Sequence, residues 1–175
     1  EALAGGLVYV PEDRKQAGLI LAHSVASNMS LSALPSFCGA FGRIRHGEEA
    51  AAVESFVKSM QIKVSNTDQP VDTLSGGNQQ KVLFARALAT TAKIVLMDDP
   101  MRGVDVGTKQ EVYEILRAEA ASGRTFIWYS TEMDEIRLCD RVYVFRDGAI
   151  AAELVGDDIT EAGVLAASFA GGEAA

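Results

Sequence analysis

From Ser75 onward the sequence keeps switching between helical and extended patterning, and this alternation limits the available folds more than any other feature. Polar turn residues lead into an amphipathic helix carrying Val82, Leu83, Ala85, Ala87 and Leu88. A strand, Ile94 to Met97, follows, then a helix Thr108 to Ala121, a strand Thr125 to Tyr129, a helix Met133 to Leu138 and a strand Val142 to Phe145. Helices placed between strands serve as crossovers between parallel neighbours, so an α/β fold with a mostly parallel sheet is expected. Asp147-Gly148 supplies a hairpin turn into Ile150 to Leu154. Asp157 to Ala170 reads as a final helix with an Asp/Thr cap region, and Gly171 to Ala175 as a small-residue tail that frays.

The amino-terminal part has a different texture. Leu7-Val8-Tyr9-Val10 is a short strand stopped by Pro11, and Glu12-Asp13-Arg14-Lys15 reads as an exposed loop. Ser24 to Leu34 is loosely helical, Pro35-Ser36 and Gly39, Gly42 and Gly47 interrupt it, and Glu48 to Met60 resumes as a helix. Its apolar stripe is Ala51, Ala52, Phe56, Val57 and Met60.

With 175 residues, 48% of them hydrophobic, the chain can bury one sizeable core. Its apolar runs are far too short to cross a bilayer, and Glu1-Ala2-Leu3-Ala4 is no signal peptide. Cys38 and Cys139 lack metal-type or CxxC spacing and read as free or buried thiols of a reducing compartment. A net charge of −8 weighs against nucleic acid as a partner.

The chemistry concentrates where the texture changes. Ser75-Gly76-Gly77 puts a hydroxyl, two backbone amides without side chains and the positive end of a helix dipole at one point, which is the make-up of an anion site. Taken alone, the same string is a serine N-cap after a loop. A little further on, the strand Ile94 to Met97 delivers Asp98-Asp99-Pro100 at its carboxyl end. Alone that is a turn; as a pair with the first string it places a carboxylate where it can orient a phosphate-bound cation.

The full string Leu74-Ser75-Gly76-Gly77-Asn78-Gln79-Gln80-Lys81-Val82, followed by Ala85-Arg86-Ala87-Leu88, resembles the signature motif of ATP-binding cassette (ABC) ATPases, in the form found in bacterial importers of sugars and related small molecules. The resemblance runs from about Leu7 to Ala170 and implies a partial P-loop NTPase fold with a helical subdomain. It divides the chain into a Q-loop strand and loop (1–23), a helical subdomain (24–73), the signature and Walker B/D-loop core (74–170) and a tail (171–175). By the same resemblance Asp98 is the Walker B aspartate that orients Mg²⁺. Asp99 stands where an active ABC ATPase carries its catalytic glutamate. Being one methylene shorter, Asp99 falls on the order of 1.5 Å short of a water that a base must approach within roughly 2.6–3.2 Å. Thr131 occupies the place of the switch histidine and cannot carry an imidazolium charge; Ser130-Thr131-Glu132 is also an ordinary helix cap.

Glu12 falls at the Q-loop glutamine, in an Glu12-Asp13-Arg14 variant resembling the second halves of sugar-importer ATPases, though as a charged turn it means nothing. Arg102-Gly103-Val104-Asp105 resembles the D-loop, with Met101 replacing the commoner threonine; its plain alternative is a glycine turn entering the next helix. No G-x-x-x-x-G-K-[ST] occurs in the sequence, so the chain is expected to be a fragment that begins after that motif and binds ATP weakly by itself.

The resemblance implies composite ATP sites. Ser75, Gly76, Gly77 and Gln79 would complete the ATP site of the first nucleotide-binding domain of the same transporter, and Glu12 and Asp105, as Q-loop and D-loop positions, are further cofactor-binding residues by the same resemblance. Asp98, Asp99 and Thr131 would belong to a weak or non-hydrolytic site. Implied partners are the membrane-spanning permease subunits and, indirectly, a periplasmic sugar-binding protein, which puts the chain on the inner face of the cell membrane. Two other readings stay open: an ABC-type ATPase acting on nucleic acid or ribosomes, and a non-hydrolytic regulatory module.

Overall fold

A computed structural model describes residues 2–169, which fall into two units, one ending at Tyr129 and the other beginning at Ser130.

The first unit is built on a parallel sheet of β1 (Leu7–Val10), β2 (Ile94–Asp98) and β3 (Thr125–Tyr129), in that order. Period-two alternation sorts the strands into two faces. Val8 and Val10, with Val95 and Met97 beside them, are buried under helices α4 (Gly76–Leu88) and α5 (Val106–Ala121), which also contribute Val82, Phe84, Val112 and Leu116 to the core. Trp128 on this face stacks on Tyr113 of α5, with ring centroids 6.4 Å apart. The opposite face carries Tyr9, Ile127 and Tyr129, all more than half exposed, and the Asp98 carboxylate lies on it at the end of β2. The expectation of a parallel α/β sheet is met.

Between β1 and α4 lies a helical block of α1 (Val25–Ser30), α2 (Leu34–Phe37) and α3 (His46–Ser59), in which α1 packs on both α3 and α4. Three local expectations need correction. Glu12 to Lys15 is not a plain loop, because Asp13 accepts hydrogen bonds from the amides of Lys15 and Gln16 and opens a single π-helical turn, Arg14–Gly18. Pro35 does not break the chain; it sits in the first turn of α2, where its missing amide has no helical partner to lose. The buried residue of α3 is Val53, whereas Ala51 is exposed.

The second unit holds the short α6 (Met133–Ile136), a two-stranded antiparallel sheet of β4 (Arg141–Arg146) and β5 (Ala149–Val155), and α7 (Glu161–Phe169), which packs on both strands. Asp147 and Gly148 both have positive φ, +51° and +77°, as the hairpin turn requires. The final helix is shorter than expected, because Gly156–Asp158 forms a separate 3-10 turn and Thr160 bonds the Gly163 amide at 3.0 Å. Ala170 and the Gly171 to Ala175 tail lie outside the described residues.

Candidate functional site

Ser75 begins α4 as its N-cap, in extended backbone (φ −61°, ψ 157°), with its exposed hydroxyl accepting from the Asn78 amide at 3.4 Å and from Asn78 Nδ2 at 2.9 Å. The N-cap reading of this serine is met, and the cap stands at the positive end of a 13-residue helix dipole. Gly77 is needed there for space, whereas a side chain on Gly76 would displace only the end of the Arg14 side chain. A Cβ on Gly76 would lie 2.8 Å from Arg14 Nη2, and one on Gly77 would lie 2.7 Å from Thr108 Oγ1 and 3.2 Å from Asp105 Oδ2. Three segments singled out in the sequence, around residues 12–14, 75–77 and 102–105, thus meet at one place.

Asp105 is the N-cap of α5, accepting from the Thr108 amide at 3.0 Å and from its hydroxyl at 2.9 Å. Those bonds, the amide's first, hold its carboxyl below the ordinary range. A depressed folded-state value means the contribution is fully present above the unfolded carboxylate value near 4 and is lost as pH falls through the lower, folded value. The melting temperature of Asp105→Ala should therefore lie below that of the wild type at neutral pH. The gap should narrow on acidification below about pH 4, and a thermal melt series across pH checks this.

Glu12 forms an ion pair with Arg102, and Arg14 Nη1 reaches toward the Arg102 carbonyl at 3.5 Å. Gln79 is turned inward: it is buried, and its Nε2 donates to the Leu74 carbonyl at 3.0 Å, fixing the loop that enters α4. The sequence reading passed over its neighbour. Gln80 is fully buried and donates to the Pro100 carbonyl at 2.6 Å, tying α4 to the turn after Asp98 and Asp99. The signal was available in Gln79-Gln80-Lys81, three polar residues inside a helix that packs on every side.

Asp98 ends β2 and accepts from the Tyr9 hydroxyl at 3.1 Å. Desolvation and this bond push the Tyr9 phenol up from its ordinary value, so it remains a donor at neutral pH. The next residue, Asp99, has a left-handed backbone (φ +37°), and its amide donates to the Tyr129 carbonyl at 3.0 Å. Asp is among the few non-glycine residues that tolerate this region, and such strain gathers at sites where a side chain must be aimed.

Among the described residues no group of three His, Cys, Asp or Glu side chains forms a protein-only metal site. A Mg²⁺ that takes one carboxylate and otherwise phosphate oxygens and water fits a lone Asp98 at the open end of a strand. Thr131 is an exposed residue near the start of the second unit, where the Ser130 hydroxyl accepts from the Glu132 amide at 3.1 Å.

The family model described as ABC transporter matches residues 1–102 of this chain. A ribose import ATP-binding protein of Mesorhizobium japonicum is 44% identical over 165 residues, covering 94% of this chain and 32% of the relative, so the chain spans about a third of that protein's length. Among solved structures, an ATP-binding cassette seen as a dimer in a post-hydrolysis state with ADP and Pi superposes with a TM-score of 0.72 at 23% identity, covering 85% of this chain and 62% of that one. An inward-facing metal-chelate type ABC transporter gives 0.75 at 18% identity, covering 94% and 64%. At such identities the structural likeness speaks to the fold.

Proposed function

The chain belongs to the ABC transporter family, and from that premise we propose that it is part of the ATP-binding subunit of an importer for a sugar or related small molecule, lending its signature to ATP held by a partner nucleotide-binding domain. The observation that carries this reading is the first turn of α4. A serine cap and two glycines, the second with no room for a side chain, leave bare amides at a helix N-terminus, the kind of group that receives a terminal phosphate. Gln79 supports that turn from beneath through the Leu74 carbonyl, while Glu12 and Asp105 brace it through Arg102 and Thr108. Asp98 would hold Mg²⁺ in a second site, where Asp99 stands at the base position with a side chain too short for a good base. When bound, Mg-ATP supplies the phosphoryl group; these residues bind and orient it.

No helix among the described residues is long and apolar enough to cross a membrane, which agrees with a subunit docked on permease subunits at the inner membrane face. In this reading residues 1–23, 24–73 and 74–170 act as Q-loop strand, helical subdomain and signature core. The 44%-identical ribose import protein favours a sugar as cargo.

The 175 residues contain no G-x-x-x-x-G-K-[ST] cradle, so a signature that only completes another domain's site should bind Mg-ATP no tighter than about millimolar by calorimetry. Adding an ATP-loaded partner domain should produce association. A micromolar isotherm on the chain alone would overturn the reading.

A further inference from the structure

Deeper in α4 sits a half-buried cation, Arg86, whose place the proposed phosphate contact leaves unexplained. Arg86 donates through Nε to the Asn28 carbonyl at 2.7 Å, through Nη2 to Asn28 Oδ1, and through Nη1 to the Gly18 carbonyl. All three acceptors are neutral oxygens. Asn28 is itself fully buried and fully engaged: Nδ2 donates to the carbonyls of Ile20 and Ser24, each at 3.0 Å, and to that of His23 at 3.3 Å, while Oδ1 also accepts the Ile20 amide at 2.9 Å. One guanidinium and one amide thus hold the whole of the 18–28 segment.

Stability alone does not account for the choice of arginine. Hydrogen bonds from a half-buried cation to neutral oxygens add only modestly to stability, whereas a planar fork is directional and cannot be copied by lysine. The π-helical turn Arg14–Gly18 that precedes this segment touches α4 at both its ends, with Arg14 against Gly76 and Gly18 on Arg86. It therefore lies against the first residue of α4 and is hydrogen-bonded to its last turn.

We propose that Arg86 is a positioning residue that makes the 18–28 segment and the signature helix move as one body, so that whatever displaces that segment displaces Ser75, Gly76 and Gly77. This rests on the function proposed above only for what the signature receives; the grip itself is a property of the fold.

The test is hydrogen exchange on the full-length ATP-binding protein, with and without Mg-ATP, for the wild type, Arg86→Met and Arg86→Lys. In the wild type Mg-ATP should slow exchange in 75–77 and change it in 18–28 together. In both variants the 18–28 amides should exchange at least about tenfold faster and lose their response to Mg-ATP, while 75–77 stay protected by it. Turnover should show a kcat lowered by roughly tenfold to a hundredfold with the KM for ATP within about twofold, the mark of misplacement rather than lost binding. Unchanged exchange in 18–28, or a lysine variant that behaves as wild type, would overturn the proposal. If Arg86→Met does not fold, Arg86→Lys gives the same readout. Absence of Mg-ATP protection at 75–77 in the wild type would defeat the signature reading instead, leaving the faster exchange in 18–28 as the measure of the grip.

Discussion

Replacing Glu111 with alanine should destabilise the first unit by about 3 kcal/mol, while Lys81→Met should cost less than about 1 kcal/mol. The two residues form one ion pair, but they are not equivalent. The Lys81 side chain is only 4% exposed, that of Glu111 is 43% exposed, and Lys81 has one further acceptor, the Gln61 carbonyl at 3.3 Å. Truncating Glu111 leaves an ammonium buried without its counter-charge, the expensive way to break such a pair. Truncating Lys81 leaves a carboxylate that already reaches water, and a thioether that fills the lysine's apolar volume. Glu111 is 43% exposed, so water follows the removed carboxylate and holds the loss to about 3 kcal/mol. Urea denaturation of both variants checks the asymmetry, and a larger loss from Lys81→Met would show that packing by the lysine stem dominates.

Substituting Ser75 by arginine should abolish ATP turnover by the longer protein that contains this chain, with a loss of about 10²-fold or more and little loss of fold. Ser75 is exposed, so the larger side chain meets no core, and removal of its cap costs on the order of 1 kcal/mol. At the site the change is far more severe. The hydroxyl that a phosphate would meet is gone, a cation stands at the positive end of α4, and the Arg14 guanidinium already lies against Gly76. The bulk also fills the space in front of the bare amides. A melting temperature lowered by only a few degrees, beside an inactive enzyme, would separate the two effects.

Much of this arrangement was legible from the residues. The start of α4 at Ser75, the delivery of Asp98 by β2, and the turn at Asp147-Gly148 all follow from local rules: a hydroxyl cap, a β-branched and apolar run, and a residue pair able to take positive φ. What escaped has its cause at long range or in a side chain bonding to nearby backbone. The π-helical turn at Arg14–Gly18 depends on the Asp13 carboxylate bonding two following amides, where a run of charges gave no helical period to read. The roles of Gln80, Lys81 and Arg86 depend on carbonyls of Pro100, Gln61, Gly18 and Asn28, which nothing in the spacing of α4 announces. The same holds at the candidate site: the glycines were legible as the start of a helix, but the packing of Arg14, Asp105 and Thr108 around them comes only from folding.

The central claim is that this chain's intact signature and its altered base serve different ATP sites. Asp99 has an unusual backbone, φ +37°, and a side chain too short for the glutamate's task, so its site should contribute little to turnover. The direct measurement is steady-state ATP hydrolysis by the longer protein carrying either Ser75→Arg or Asp99→Asn, assayed side by side. The account predicts a loss of about 10²-fold or more from the first and of less than about threefold from the second. Equal and large losses from both would contradict it, because they would place Asp99 in a site that does the hydrolysis.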